Sequence, residues 1–420
     1  MALATQSVAD ICRAAKAASR VLARTDTTQK NAAILAIADA LVARTPEILE
    51  ANVLDLEAGR ASGLAAPLLA RLELDTPAVA AIAAGARQVA ALPDPVGEVL
   101  DGGRLYNGLS MRRVRVPLGV VAVVYESRPN VTIDCAALAL KSGNAIVLRG
   151  SSSALHSNAV LSAIARDAVV EAGLPEAAVS LVGGGGRAEL GELATQDGLV
   201  DLIIPRGGEG LKNALKAVAT VPVIYAAAGN CHVFVDASAD LDDAVAIIVN
   251  AKVQRPSACN AAETLLVHAD VARAFLPRAL AALRAEGVEL RLDSAAAAIA
   301  GEAGDGAATE ADWGTEYLAL VLAVRVVDSV DEAIAHIEEY GSGHSEAIVT
   351  GSAASSRAFQ LGVDAACVYV NASTRFTDGG EYGMGAEIAN STQKLHARGP
   401  LGLRELCTYR YLVEGDGHIR

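Results

Sequence analysis

An α/β architecture built on two successive parallel sheets is predicted by three observations. Short β-rich runs alternate with helical segments from about residue 120 to 370; the first 95 or so residues read as helices; and a hairpin plus a C-terminal strand fall outside the alternation. Asp26-Thr27-Thr28 supplies a capping signal ahead of an amphipathic run, and Pro46 opens the next helix. Residues 105–127 first alternate in polarity and then become continuously apolar, as an edge hairpin leading into a buried strand does. In the first α/β unit the expected strands are 120–125, 145–148, 179–182, 202–204, 223–225 and 232–235. Helices are expected at 131–141, 155–172 and 210–218. In the second unit the expected strands are 264–267, 288–292, 320–326, 347–349 and 368–370, with helices near 271–285, 330–339 and 352–361. The tail from Asn371 is glycine-rich and irregular.

The chain has 420 residues, enough for about two or three domains. It is 52% hydrophobic with a mean hydropathy of +0.33, yet no apolar stretch is long enough for a membrane helix. The N-terminus lacks an apolar signal core, so a cytoplasmic protein is expected. A net charge of −14 argues against nucleic acid or an anionic membrane as partner. Any anionic ligand therefore needs local basic residues and backbone amides.

Cysteines 12, 135, 231, 259, 367 and 407 contain no CxxC pair and the histidines no HExxH, so no metal site is expected. Cys231 and His232 are adjacent on an expected strand and point to opposite faces. Cys259 stands apart: Gln254-Arg255-Pro256-Ser257-Ala258-Cys259-Asn260 places one thiol on a turn between a helical stretch and a β-rich run. A thiol on such a loop can serve as a nucleophile, with Arg255 near enough to favour the thiolate; a buried packing role is the alternative. Arg149-Gly150-Ser151-Ser152 and Arg206-Gly207-Gly208 each end a strand just before a helix, the arrangement that binds phosphates through backbone amides. Ordinary strand-to-helix turns look the same. Glu316, in an acidic, aromatic turn, is either a solvated carboxylate or an acceptor for a ribose hydroxyl.

Four stretches carry a family resemblance: Pro117 through Glu126-Ser127-Arg128-Pro129-Asn130 to Thr132, the Pro205-Arg206-Gly207-Gly208 turn, Gly229-Asn230-Cys231-His232, and the segment around Cys259. So do Tyr340 to His344, Asn371 to Phe376, Gly383 to Ile388 and Leu395 to Pro400. Together, in order and over residues 10 to 415, they resemble the γ-glutamyl phosphate reductases of the aldehyde dehydrogenase superfamily. The resemblance implies an aldehyde-dehydrogenase-like fold with a Rossmann-like NADP-binding domain, an α/β catalytic domain and a β oligomerisation arm. It places the cofactor domain at 1–104 and 117–229, the catalytic domain at 230–370 and the arm at 105–116 and 401–420. Residues 371–400 would be a return segment lining the cleft.

By similarity, the activity implied is NADPH-dependent reduction of glutamyl 5-phosphate to glutamate 5-semialdehyde, the second step of proline biosynthesis. Cys259 would form the thioester, and its own N–H or the Asn130 side chain would hold the oxyanion; Asn130 could equally cap the helix beginning near Val131. Hydrolytic relatives carry a glutamate where this chain reads Tyr225-Ala226-Ala227-Ala228-Gly229, so nothing here activates water against the thioester. Where the superfamily commonly has KPxE, Arg149 replaces the lysine and Ser152 falls at the glutamate, which favours NADP(H) over NAD(H). Arg128, Arg255 and His344 are the candidates for the substrate's anionic groups. A homo-oligomer is implied, as is transient contact with glutamate 5-kinase. The competing readings are a hydrolytic NAD-dependent aldehyde dehydrogenase and a non-catalytic protein on the same scaffold.

Overall fold

The computed structural model describes residues 6–420 except 184–185, 226–228 and 302–303. The chain divides into two compact units. One comprises Met1–Tyr225, Gly383–Ala389 and Leu401–Arg420; the other comprises Ala226–Tyr382 and Asn390–Pro400.

The first unit begins with helices Val8–Leu22, Thr27–Ala43, Thr45–Ala61, Ala66–Leu72 and Thr76–Ala91. Their starts follow from capping chemistry: the Ser7, Asp26 and Asp75 side chains accept from the backbone N–H groups of Asp10, Gln29 and Ala78. Ile34, Ile37 and Leu41 recur at helical spacing and are wholly buried. Lys30, buried with them, is neutralised by an ion pair to Asp94. The parallel sheet of this unit runs Val179–Leu181, Ala145–Gly150, Val120–Tyr125, Leu202–Arg206. Every residue of Val120–Tyr125 is buried, so each valine there contributes about 1.5–3 kcal/mol.

Two boundaries differ from expectation. The expected strand 223–225 is only a bridge, in which Ile203 N–H donates to Pro222 and Ile224 N–H donates to Ile203. The hairpin does not start at 105: it pairs Val99–Arg104 antiparallel with Ser110–Pro117. Asp-Gly-Gly-Arg does not look like a strand, but a side chain at Gly102 would come within 2.7 Å of the Met111 carbonyl, so glycine is what lets the strands approach. The C-terminal strand Cys407–Glu414 pairs antiparallel with Ser110–Pro117 and forms the outer edge of this sheet.

The second unit is a seven-stranded, all-parallel sheet. Its order is Gly306–Ala307, Glu289–Leu292, Val321–Val327, Ala262–His268, Cys231–Val235, Ser345–Val349, Cys367–Val370. Alternate residues feed opposite layers: Val233, Val235, Leu265 and Val267 pack with Phe275 and Ile248, while Phe234, Leu266 and Ile348 pack with Phe359. Two short helices, Arg187–Ala194 in the first unit and Ser294–Ala300 in the second, were not anticipated. No helix among the described residues is long and apolar enough to cross a membrane.

Candidate active site

Of the six cysteines, Cys259 is the exposed one and the other five are buried. The loop that presents it follows helix Leu241–Val253 and leads into the central strand Ala262–His268. Two consecutive turns shape it, with Ala258 N–H donating to Arg255 and Ala261 N–H to Ala258. The neighbouring Asn260 side chain is buried and donates to the carbonyls of Thr377, at 2.9 Å, and Arg375, at 3.4 Å. In return, the Thr374 hydroxyl donates to the Asn260 carbonyl at 2.6 Å.

Beneath the loop, the Cys231 thiol donates to the Cys259 carbonyl at 3.3 Å. Burial raises the Cys231 pKa well above the ordinary thiol value, so it stays protonated and able to donate. A Cβ on Gly229 would fall 1.6 Å from that same carbonyl oxygen, so only glycine fits there. Glu316 accepts from the Gly229 N–H at 2.7 Å, and Ser342 accepts from the Asn230 N–H at 3.0 Å. The Asn230 amide donates to the Trp313 and Tyr340 carbonyls. Gly229 is thereby clamped against Cys259 from two sides.

The Glu316 turn is itself anchored from below. Leu318, at φ 54°, donates its N–H to Glu263, and Glu263 pairs with Lys252 at 2.5 Å, both side chains being fully buried. Burial is the largest influence on each: it raises Glu263 to about 7 and lowers Lys252. The pair is weak evidence for stability and stronger evidence for a fixed geometry.

These groups share an address. Glu316, Cys259, Gly229 and His344 each precede a strand, and the four strands are neighbours in the parallel sheet. The site of this unit therefore lies at the amino edge of its sheet. The expectation that ligands gather at carboxyl ends covers only the first unit. There, Ser151 and Ser152 follow the carboxyl end of Ala145–Gly150, and Arg206, Gly207 and Gly208 lie at that of Leu202–Arg206, the two strands that flank Val120–Tyr125.

The structure places the other expected residues as follows. Arg149 is 6% exposed and donates to the Gly186 carbonyl at 2.9 Å; burial lowers its pKa. Gly150 has no room for a side chain, because Asn158 would meet it at 2.0 Å. The Gly208 amide is taken by Glu126 at 3.1 Å, and a Cβ at Gly207 would meet the same carboxylate at 2.5 Å. Ser127, at φ 43°, ties the turn carrying Arg128 to Ser151 and Ser153. Asn130 does not cap its helix. It is the first residue of Asn130–Lys141, and its amide donates to Asp134.

His344 needs correcting as a cation. It is fully buried, its Nδ1 faces the Ser345 hydroxyl at 2.9 Å and the Cys231 sulfur at 3.9 Å, and burial lowers its pKa to about 4. A neutral imidazole at pH 7 cannot balance a substrate anion. Arg255 is exposed on the Cys259 loop. Ala226–Ala228, where hydrolytic relatives carry a glutamate, lie outside the described residues. Among the described residues no three His, Cys, Asp or Glu side chains are grouped to hold a metal ion.

The model of the aldehyde dehydrogenase family matches residues 1–298. A Thermobifida fusca protein named gamma-glutamyl phosphate reductase is 52% identical over 415 residues, 99% of both chains. The chain belongs to the γ-glutamyl phosphate reductase family. A member from Kineococcus radiotolerans is 54% identical over 99% of this chain and 96% of its own. The crystal structure of the Thermotoga maritima γ-glutamyl phosphate reductase superposes with a TM-score of 0.96 at 47% identity, covering 99% of this chain and all of that one. An acetylating aldehyde dehydrogenase from Geobacillus thermoglucosidasius, 19% identical with a TM-score of 0.70 over 98% and 97% of the chains, shares the fold. The aldehyde-dehydrogenase-like α/β architecture expected from sequence is therefore the observed one, and nicotinamide cofactors are those the aldehyde dehydrogenase family uses.

In this γ-glutamyl phosphate reductase family member, nothing in the sequence marks Gly229, Cys231, Asn260 and Arg375 as the support of Cys259. Each stood inside a quoted motif, but a motif does not say that the Asn260 amide reaches a carbonyl 117 residues away.

Proposed function

We propose that the chain reduces L-glutamyl 5-phosphate to L-glutamate 5-semialdehyde with NADPH, releasing phosphate. The carrying observation is the exposed Cys259 on a backbone locked by Cys231 and Gly229. Its thiolate attacks the acyl carbon, the S–C bond forms, and the C–O bond to phosphate breaks with the electron pair leaving on phosphate oxygen. The thioester then accepts a hydride, and collapse of the tetrahedral adduct expels the thiolate and the aldehyde. Cys259 ends as it began. The chemistry asked of the nicotinamide cofactor is hydride donation. Ser151, Ser152, Arg206, Gly207 and Gly208 are suited to a dinucleotide, since they lie at the carboxyl ends of the two parallel strands that flank Val120–Tyr125, where a side chain at Gly207 would crowd Glu126 and Leu211. Glu316 is assigned to the Gly229 amide first, and to a ribose hydroxyl through whatever acceptor capacity remains. Asn130 stays a candidate oxyanion donor through its amide, and Arg128 a candidate for a substrate anion.

The deciding experiment runs the reaction backwards, with glutamate 5-semialdehyde and NADP⁺. Reduction of NADP⁺ is expected to require phosphate or arsenate; equal rates without either indicate hydrolysis and overturn the reading. Arg149, the buried cation at the strand end, is proposed to favour the 2′-phosphate of NADPH. Arg149→Ala should raise KM for NADPH by about tenfold and leave that for NADH within about twofold. Equal effects on both would remove Arg149 from cofactor choice and leave it as the anchor of Gly186.

We also propose a homo-oligomer assembled through the strand Cys407–Glu414. Tyr409, Tyr411 and Val413 are 48%, 56% and 53% exposed along this edge, a row that invites pairing with another copy.

A further inference from the structure

We infer that Arg255 and Arg375 form a two-guanidinium subsite beside Cys259 for the phosphate group of the substrate, Arg375 being a substrate-binding residue. This rests on the acyl-phosphate reading above and adds to it which side chains meet the leaving group.

The two arginines are brought together by the same bonds that hold the nucleophile. Arg375 lies in the short turn Thr374–Phe376, and its Nε donates to the Gln254 side chain at 2.8 Å. Arg255 is the next residue after Gln254. From the other side, Asn260, next to Cys259, is tied through its amide to the carbonyls of Arg375 and Thr377 and through its own carbonyl to Thr374. Loop 254–260 and turn 374–377 are thus laced at both ends, with the thiol between. The electrostatics agree with this placement. The Arg375 pKa is lowered first by burial and then by the Arg255 charge, while Cys259 and Asp378 act in the opposite sense.

Two like charges kept together, one half-buried, are costly unless an anion joins them. Neither guanidinium forms an ion pair with a carboxylate among the described residues; Arg375 spends one N–H on a neutral amide oxygen. Each retains N–H donors in the planar fork that fits phosphate oxygens.

The substrate offers two anions, and geometry selects between them. The phosphate is bonded to the very carbon that Cys259 attacks, so it must lie within reach of the thiol's immediate neighbours. The α-carboxylate sits at the far end of the glutamyl chain. When the C–O bond breaks, the electron pair moves onto phosphate oxygen, and two cations there, Arg375 anchored by Gln254, stabilise charge as it develops. In the reverse direction the same pair would gather inorganic phosphate for attack on the thioester.

Two variants test this, with inorganic phosphate as the probe. Arg255→Gln removes an exposed side chain and leaves the fold undisturbed; Arg375→Lys keeps a charge but loses the fork. In the reverse reaction each should raise KM for phosphate about tenfold, with KM for the semialdehyde within about twofold. A second readout needs no turnover: phosphate should slow alkylation of Cys259 by iodoacetamide in the wild-type protein, and this protection should be lost in both variants. If phosphate gives no protection in the wild type, or protects the variants equally, the subsite is wrong. If KM for the semialdehyde rises instead, the pair holds the α-carboxylate and the inference is overturned. A wild-type enzyme indifferent to phosphate in turnover would sink the acyl-phosphate reading itself, a result separable from the alkylation data.

Discussion

Cys259→Ser is expected to lower turnover by roughly 10⁴-fold or more while leaving the circular dichroism spectrum and thermal midpoint near those of the parent. The asymmetry follows from exposure. The side chain contributes little to packing, and its loop is held through the backbone carbonyl and through Asn260. A hydroxyl in the same place is a far weaker nucleophile at neutral pH and a poorer leaving group when the adduct collapses. Mass spectrometry of acid-quenched wild-type enzyme should find an acyl adduct on the peptide containing Cys259, absent from the variant. Turnover near the parental rate in Cys259→Ser would show that the thiol is a bystander.

Gly229→Ala should be almost as damaging, by a different route. A methyl group there would lie 1.6 Å from the Cys259 carbonyl oxygen and 2.5 Å from its Cα, so the nucleophile's backbone must retreat. A shift of about 1 Å in a reacting group can cost about 10²-fold in rate. We therefore expect kcat to fall by at least that factor, with KM for the acyl phosphate little changed. Stability should drop by about 1–3 kcal/mol, the range for overpacking. Wild-type kcat in a folded Gly229→Ala protein would mean that the loop repositions freely, contrary to the bonds from Cys231 and Glu316.

Much of this was legible in the sequence, and what was not has physical causes. Strands such as Val120–Tyr125 announce themselves because both faces are buried, and helices such as Thr27–Ala43 because Asp26 is a strong cap. Cys259 was found from its turn-like surroundings. Its support was not, because Gly229, Glu316 and Thr377 converge on it only through parallel crossovers, and local periodicity carries no record of which loops meet. His344 misled for a related reason: residue type suggested a cation, whereas its pKa is set by burial that no short window reveals. The early start of the hairpin at Val99 went unseen because Gly102 serves a cross-strand approach and not a propensity.

The division of the chain also governs how the molecule can be made. The polypeptide passes between its two units four times, and the first unit is finished only by Leu401–Arg420. The strand Ser110–Pro117 pairs with Cys407–Glu414, so that Arg112 bonds Glu414, 302 residues later. At ribosomal rates of about 5–20 residues per second, its hydrogen-bonding edge waits roughly 15–60 s for a partner. During that interval a nascent chain displays an open, paired-on-one-side ribbon, the form of β-structure most prone to recruit its neighbours. Arg113 and Arg115 already have Asp101 and Glu98 as partners, whereas Arg112, whose partner Glu414 comes last, keeps a charge on the ribbon during the wait. The third strand of the ribbon is therefore supplied only after nearly all of the 420 residues have been joined.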